Sequence, residues 1–66
     1  MKVQVNGALR ELSDDTTITR LLTVLGVPPD GVAVAVDGAV VPRSRHAETT
    51  LAHGARIEVV RAVGGG

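Results

Sequence analysis

Apolar and polar residues alternate over the first six positions of the chain, which is the pattern of a strand with one buried face. Val3 and Val5 fall on one side, and polar side chains fall on the other. Asn6 and Gly7 follow, and this dipeptide favours the positive φ angles of a tight hairpin turn. Residues 8–12 then have the pattern of a return strand. The sequence therefore predicts a β-hairpin at the start of the chain.

A helical period replaces this alternation between residues 13 and 26. Four apolar residues have the spacing of one helical face: Ile18, Leu21, Leu22 and Leu25. Thr16 or Thr17 can cap the first turn, and Gly26, which two prolines follow closely, is a stop signal. One amphipathic helix is therefore predicted here.

Three further strands are predicted after the helix. Residues 32–36 are apolar throughout, which suits a strand covered, or nearly covered, on both sides. Asp37 and Gly38 give a second tight-turn signal, and residues 39–41 can pair back. Residues 55–63 are the longest strand candidate, and the polar segment before them has room for one short helical turn. We expect an α+β fold in which the helix packs across a mixed sheet of four or five strands, with the first and last strands adjacent at its centre.

Composition narrows the classes of function. A chain of 66 residues is enough for one small domain. Its seven basic and seven acidic residues cancel, so nucleic acid and anionic membrane are not expected partners. No apolar run is long enough to span a membrane, and we predict a cytoplasmic protein that is monomeric when free. The lack of Cys excludes disulfides and thiolate nucleophiles.

Candidate catalytic and metal-binding side chains are few. Asp14 and Asp15 are adjacent acids, but they stand where residues that begin a helix are expected. His46 and His53 lie in the polar connection without a closely spaced set of acidic ligands, so both are predicted to be surface residues. We expect no metal site and no enzyme activity, and interpret the chain as a substrate of enzymes.

The last strand candidate leads into three glycines. Residues 1–63 are interpreted as the folded domain and residues 64–66 as a flexible tail, because residues without a Cβ lose much freedom on ordering. Taken alone, such a tail is also typical of a frayed terminus.

An apolar patch is predicted beside this tail, since Val60 and Ala62 fall on the strand face opposite Ile57. An ordinary half-covered sheet face gives the same pattern, but a surface that binds partner enzymes is favoured. The candidate docking residues are Val60, Arg61, Ala62 and Val63. Arg43 and Arg45 are further candidates for contact with acidic partner surfaces, with a solvated loop as the alternative.

Several motifs match one protein family along nearly the whole chain. They are Asn6-Gly7, Leu21-Leu22, Leu25-Gly26, VAVAVDG, VVPRS, Thr50-Leu51, Gly54, IEVV and the final AVGGG. With the order of elements, they resemble ThiS, the family of sulfur carrier proteins of thiamine thiazole biosynthesis, which has the ubiquitin-like β-grasp fold. Most of the specificity lies in VVPRS and the terminal glycines. Ala55 and Asp37 depart from the family's usual Asp and Asn, which affects local turns more than the tail.

The resemblance implies a chemistry for the tail. The Gly66 carboxylate would be adenylated with ATP by a ThiF-like enzyme, related to ubiquitin-activating enzymes, and converted to a thiocarboxylate. Gly64 and Gly65 would thread into narrow active sites of the partners. Sulfur would come from a donor such as a cysteine desulfurase and pass to a ThiG-like thiazole synthase, and the carrier itself would bind no cofactor.

Two alternatives to this function stay open. One is the related sulfur carrier of molybdopterin synthesis, against which the chain length and VVPRS argue. The other is a ubiquitin-like module that binds noncovalently and has an inert tail.

Overall fold

Within residues 1–28 and 30–61, the part of the chain that this computed structural model describes, five strands form one mixed sheet. In chain order the elements are β1 (Lys2–Val5), β2 (Ala8–Glu11), α1 (Ile18–Leu25), β3 (Val32–Val36), β4 (Ala39–Val41), a 3₁₀ turn (Arg43–Arg45) and β5 (Arg56–Arg61). The spatial order is β2-β1-β5-β3-β4, with β1 and β5 parallel and the other neighbours antiparallel. The adjacency of the first and last strands is confirmed, and the architecture is the expected β-grasp fold.

Two tight turns close the hairpins, at the positions that the sequence predicts. Asn6 and Gly7 have φ angles of 51° and 83°, and Asp37 and Gly38 have φ angles of 50° and 85°. Two successive positive φ angles are the signature of a type I′ turn, whose twist matches that of the flanking strands. The Asp37 carboxylate also accepts a hydrogen bond from the Arg56 N–H at 3.0 Å. Asp37 therefore both turns the chain and holds the start of β5.

Local capping sets the limits of α1. The hydroxyl oxygen of Thr17 accepts a hydrogen bond from the Arg20 N–H at 3.2 Å, which satisfies a free donor of the first turn. Gly26 ends the helix in the left-handed conformation. Thr16, the other candidate cap, is buried and donates to the Ser13 carbonyl at 2.5 Å. Among the described residues, no helix is both long and apolar enough to cross a bilayer.

The core lies between α1 and one face of the sheet, which we call the inner face. Its buried apolar residues are Val3, Val5, Leu12, Ile18, Leu21, Leu22, Val34, Leu51, Ala55 and Ile57. The predicted inward faces of β1, β5 and the helix are thus confirmed. Because the chain has no aromatic residue, aliphatic burial at roughly 1.5–3 kcal/mol per large side chain provides the apolar stabilisation.

The second face of β3 is less covered than predicted. Val34 is fully buried on the inner face, but Ala33 is exposed and Ala35 is only half-buried on the other face. The prediction of two covered sides is therefore wrong. The run is apolar throughout, but its residues differ in size. The valines face the helix, and the smaller alanines face away from it.

His46 is buried, so the prediction that it lies on the surface is wrong. Its ring Nε2 is 2.9 Å from the Val41 carbonyl oxygen, and its own carbonyl accepts from the Thr19 N–H at 3.3 Å. The polar connection between β4 and β5 therefore packs inward beneath the first turn of α1. His53 is exposed, as predicted, and its Nδ1 accepts from the Lys2 N–H at 3.0 Å.

Candidate functional site

Strand β5 leads directly to the glycines that the sequence singles out. Its antiparallel pairing with β3 continues to Arg61, which lies opposite Val32. Its parallel pairing with β1 ends earlier, where Val5 lies opposite Ile57. The last residues of β5 therefore run beyond the end of β1 while β3 still supports them.

The Asn6 side chain continues the contact between β1 and β5 past the end of β1. Its Oδ1 accepts from the Val59 N–H at 2.9 Å, and its Nδ2 donates to the Val59 carbonyl at 3.2 Å. The Asn6 backbone N–H also donates to the Ile57 carbonyl at 2.9 Å. The amide thus bonds both polar groups of one residue, as a neighbouring strand would. From the sequence, Asn6 was identified only as a turn residue.

The sheet face that points away from α1, which we call the outer face, carries exposed aliphatic side chains near the end of β5. Val60 is 58% exposed and Val40 is 72% exposed. Ala33 lies opposite Val60, and Ala35 lies opposite Val40. We call Ala33, Ala35, Val40 and Val60 the outer patch. The predicted exposure of Val60 is confirmed, and the patch extends across three strands.

Charged and polar residues separate the outer patch from another exposed aliphatic residue. Leu9 on β2 is 71% exposed and lies opposite Gln4 of β1, on the same outer face. Arg56 and Glu58 of β5 are exposed on this face as well. Because β1 lies between β2 and β5, Leu9 is not part of the outer patch.

The structure does not bring the candidate arginines together with Val60. Arg61 follows Val60 in the strand and lies opposite Val32 on the inner face. Arg43 forms an exposed ion pair with Asp30 at 2.7 Å. Arg45 lies 3.8 Å from Glu48, also at the surface. A docking role for these arginines would therefore involve surfaces other than the outer patch.

The remaining predicted site residues, Ala62, Val63, Gly64, Gly65 and Gly66, lie outside the described residues. Across residues 1–28 and 30–61, no group of three His, Asp or Glu side chains could hold a metal ion. The outer patch and the end of β5 are therefore the candidate functional features among the described residues.

Comparison with known proteins assigns the chain to a family. The model of the ThiS family matches residues 3–66, a range that includes the helix, all of the strands except the first residue of β1, and the final glycines. The chain belongs to the ThiS family. This assignment confirms the resemblance that the sequence motifs indicate.

Two thiazole synthases share sequence with this ThiS-family chain. The protein from Paramagnetospirillum magneticum (strain ATCC 700264 / AMB-1) is 38% identical over 66 residues, and that from Magnetococcus marinus (strain ATCC BAA-1437 / JCM 17883 / MC-1) is 39% identical over 66 residues. Each match covers 100% of this chain but 20% of the relative. The chain therefore spans about a fifth of the length of these curated relatives.

Two solved structures from Geobacter metallireducens have the same fold. The crystal structure of a thiamine biosynthesis protein, ThiS, is 30% identical, covers 100% of both chains and gives a TM-score of 0.85. The NMR solution structure of a thiamine biosynthesis protein is also 30% identical, covers 100% of this chain and 88% of that one, and gives a TM-score of 0.81. These likenesses agree with the β-grasp assignment made from the strand order.

Proposed function

We propose that this ThiS-family chain is a sulfur carrier for thiazole formation in thiamine biosynthesis, and that the Gly66 carboxyl group carries the sulfur. The observation that carries the proposal is the family match over residues 3–66, which includes the glycines at 64–66. The likeness to two thiazole synthases supports the assignment to thiazole formation. On this proposal the chain is a substrate and donor for enzymes and is not itself an enzyme.

The proposed chemistry begins with a carboxylate, which is a poor acyl electrophile because it lacks a good leaving group. In a ThiF-like activating enzyme, a Gly66 carboxylate oxygen attacks the α-phosphorus of ATP and pyrophosphate leaves. A donor such as a cysteine desulfurase supplies sulfur as a persulfide, which a thiol reductant releases as sulfide while the thiols are oxidised to a disulfide, and this sulfide then attacks the acyl carbon. AMP departs with one former carboxylate oxygen, and a thiocarboxylate remains for a ThiG-like thiazole synthase. ATP is bound by the activating enzyme, and the carrier needs no cofactor of its own.

The glycines suit this proposal because they have no side chains. Gly64 and Gly65 would pass through a narrow channel without steric conflict and place Gly66 at the reacting atoms. The chain also contains no Cys whose thiolate could intercept the activated acyl group.

The outer patch is the proposed docking surface for both enzymes. Val60 is the last outward-facing residue of β5 and precedes Gly66 by six positions in the sequence, so the outer patch lies at the end of β5 from which the chain continues to the glycines. Exposed aliphatic surface of this kind is typical of interaction sites. Because both partners need the same Gly66, we propose that they bind this cytoplasmic, monomeric carrier one after the other.

The thiazole pathway is favoured over molybdopterin synthesis because the similar proteins are thiazole synthases and thiamine biosynthesis proteins. An inert-tailed binding module would present the same β-grasp body, and only the chemistry of Gly66 distinguishes it from a carrier.

The test is reconstituted thiazole formation with purified activating enzyme, thiazole synthase, ATP and a sulfur donor. Deletion of Gly66 and Gly65→Ala should each abolish sulfur transfer and leave the thermal unfolding transition of the domain unchanged. Thiazole formation at the wild-type rate by the truncated chain would refute the proposal. Because the relatives are longer, intact mass of the natural protein should first show that Gly66 has a free carboxylate.

A further inference from the structure

A cleft of about 400 Å³ opens on the inner face, at the end of the sheet where β5 runs beyond β1. Its apolar lining consists of Val5 from β1, Ala8 from β2, Leu25 from the end of α1, Val27, and Val59 from β5. Leu25, Val27 and Val59 pack against the core but are only half-buried. The cleft is therefore an accessible continuation of the core surface.

Two arginines stand at this cleft. Arg10 of β2 lies opposite Val3, and Arg61 of β5 lies opposite Val32. Both valines pack in or against the core, so both arginines belong to the inner face. Because β1 lies between β2 and β5, the two arginines reach the cleft from strands on either side of β1.

No negative charge balances these arginines within the described part of the chain. None of the ion pairs formed there involves Arg10 or Arg61, and no Asp or Glu lines the cleft. The cleft therefore carries a local excess of positive charge, although the chain as a whole has a net charge of zero. Asn6 also lines it, but its amide already bonds both polar groups of Val59. A ligand in the cleft would therefore contact an apolar surface and two cationic side chains.

We propose that this cleft is a second docking site, which binds an acidic segment of a partner protein through one aliphatic side chain and flanking carboxylates. The aliphatic side chain would cover Leu25, Val27 and Val59, and the carboxylates would pair with Arg10 and Arg61. Guanidinium groups match carboxylates in geometry and charge. Nucleic acid fits this site poorly, because two cations on a neutral protein supply little attraction for a phosphate backbone.

The site is distinct from the outer patch, because consecutive residues of β5 point to opposite faces. Val59 faces the cleft and Val60 belongs to the outer patch. A partner that contacts both would bind the two faces of β5 near its last residues. The inference rests on the geometry of the described residues and does not depend on sulfur transfer.

The test is a titration of the full chain with the peptide N-acetyl-Glu-Leu-Glu-amide, followed by ¹H–¹⁵N spectra. Saturable shifts are expected at the amides of Val5, Leu25, Val27 and Val59. Arg10→Gln and Arg61→Gln should each weaken binding about threefold to fivefold, the size expected for an exposed ion pair. Arg56→Gln, on the outer face, is the matched control and should change nothing.

Variants of the peptide test its two proposed contacts separately. Replacing its Leu by Ala should weaken binding, and replacing both Glu by Lys should abolish it. The proposal is overturned if the cleft amides do not shift, or if either altered peptide binds as well as the original.

The same spectra exclude other occupants. Shifts of the cleft amides on dilution would identify a second copy as the occupant, and shifts on deletion of residues 62–66 would identify the chain's own end. Either result would overturn the proposal of a partner segment.

Discussion

Both faces of the sheet carry large aliphatic side chains, yet these side chains differ sharply in exposure. On the inner face, Val34 and Ile57 are 0% and 1% exposed. On the outer face, Val40 and Val60 are 72% and 58% exposed. Valine occurs on both faces, so the position of α1 and not the residue type determines which side chains are buried.

Because of this difference, we expect the buried residues to determine stability and the outer patch to determine recognition of partners. Side chains that are buried on the inner face lose most of their contact with water on folding, so changes to them should act on the free energy of unfolding. Outer-patch side chains stay in water in the free protein, so changes there should act on binding to a partner. The following substitutions test whether the two faces are independent in this way.

The largest effect is expected for Leu21→Ala, since Leu21 is 0% exposed beneath the sheet. The loss of its aliphatic contacts and the cavity left behind should lower the free energy of unfolding by about 2–5 kcal/mol. Urea denaturation measures this change. Val24→Ala, on the same helix but 50% exposed, is the control and should lower the free energy of unfolding by well under half as much. Equal losses at both positions would contradict the assigned helix face.

A smaller loss of stability is expected for His46→Ala. This substitution removes a buried ring and leaves the Val41 carbonyl without its side-chain partner, which should cost about 1–3 kcal/mol. His53→Ala is the matched control, because that ring is exposed and should cost about 0.5 kcal/mol or less. If thermal or urea unfolding shows equal losses, the inward packing of the β4–β5 connection is wrong.

Val60→Glu should change binding and not folding. A charge placed in the outer patch should weaken affinity for the activating enzyme about tenfold or more, with unfolding almost unchanged. Leu9→Glu is the control, since Leu9 is also exposed on the outer face, at 71% against 58% for Val60, but lies two strands away. Isothermal calorimetry with the enzyme distinguishes the two variants. Unchanged affinity for Val60→Glu would remove the outer patch from the docking surface.

The smallest effect is expected for Asn6→Gly, in the turn that follows β1. Glycine keeps the positive φ that the turn requires but removes both side-chain hydrogen bonds to Val59. The expected cost is about 1 kcal/mol, with faster hydrogen exchange of the Val59 amide. Asp37→Gly is a parallel control that should affect the Arg56 amide instead. If exchange at Val59 does not change, the Asn6 amide does not hold the end of β5.

Local signals were enough to predict most of the fold. The two turn dipeptides and the Thr17 and Gly26 caps act within a few residues of sequence, so they are readable without tertiary structure. The predicted limits of β3 and β4 agree with the structure. The predicted last strand, 55–63, begins one residue before β5, and its predicted end lies outside the described residues.

Features that depend on distant contacts were not predictable in this way. The Asn6 amide meets Val59 across 53 positions of sequence, and the inward turn of His46 depends on how the β4–β5 connection meets α1. Polarity alone indicates the surface, where Asn6 does lie but His46 does not. The three-dimensional register determines which partners these polar groups find.

For the same reason, only part of the candidate site was predictable from the sequence. Alternation along β5 correctly placed Val60 on the outer face. Val40 was missed because its place in the outer patch depends on the register of β3 with β4. Arg61 was grouped with Val60 by proximity in sequence, although alternation puts it on the inner face.

The most direct test of the proposed carrier function is the intact mass of the chain after incubation with the proposed activating enzyme, ATP and a sulfur donor. The expected result is a mass increase equal to the exchange of one oxygen for sulfur, which fragmentation locates at Gly66. Thiazole formation by a chain whose Gly66 carboxylate keeps both oxygens would contradict it.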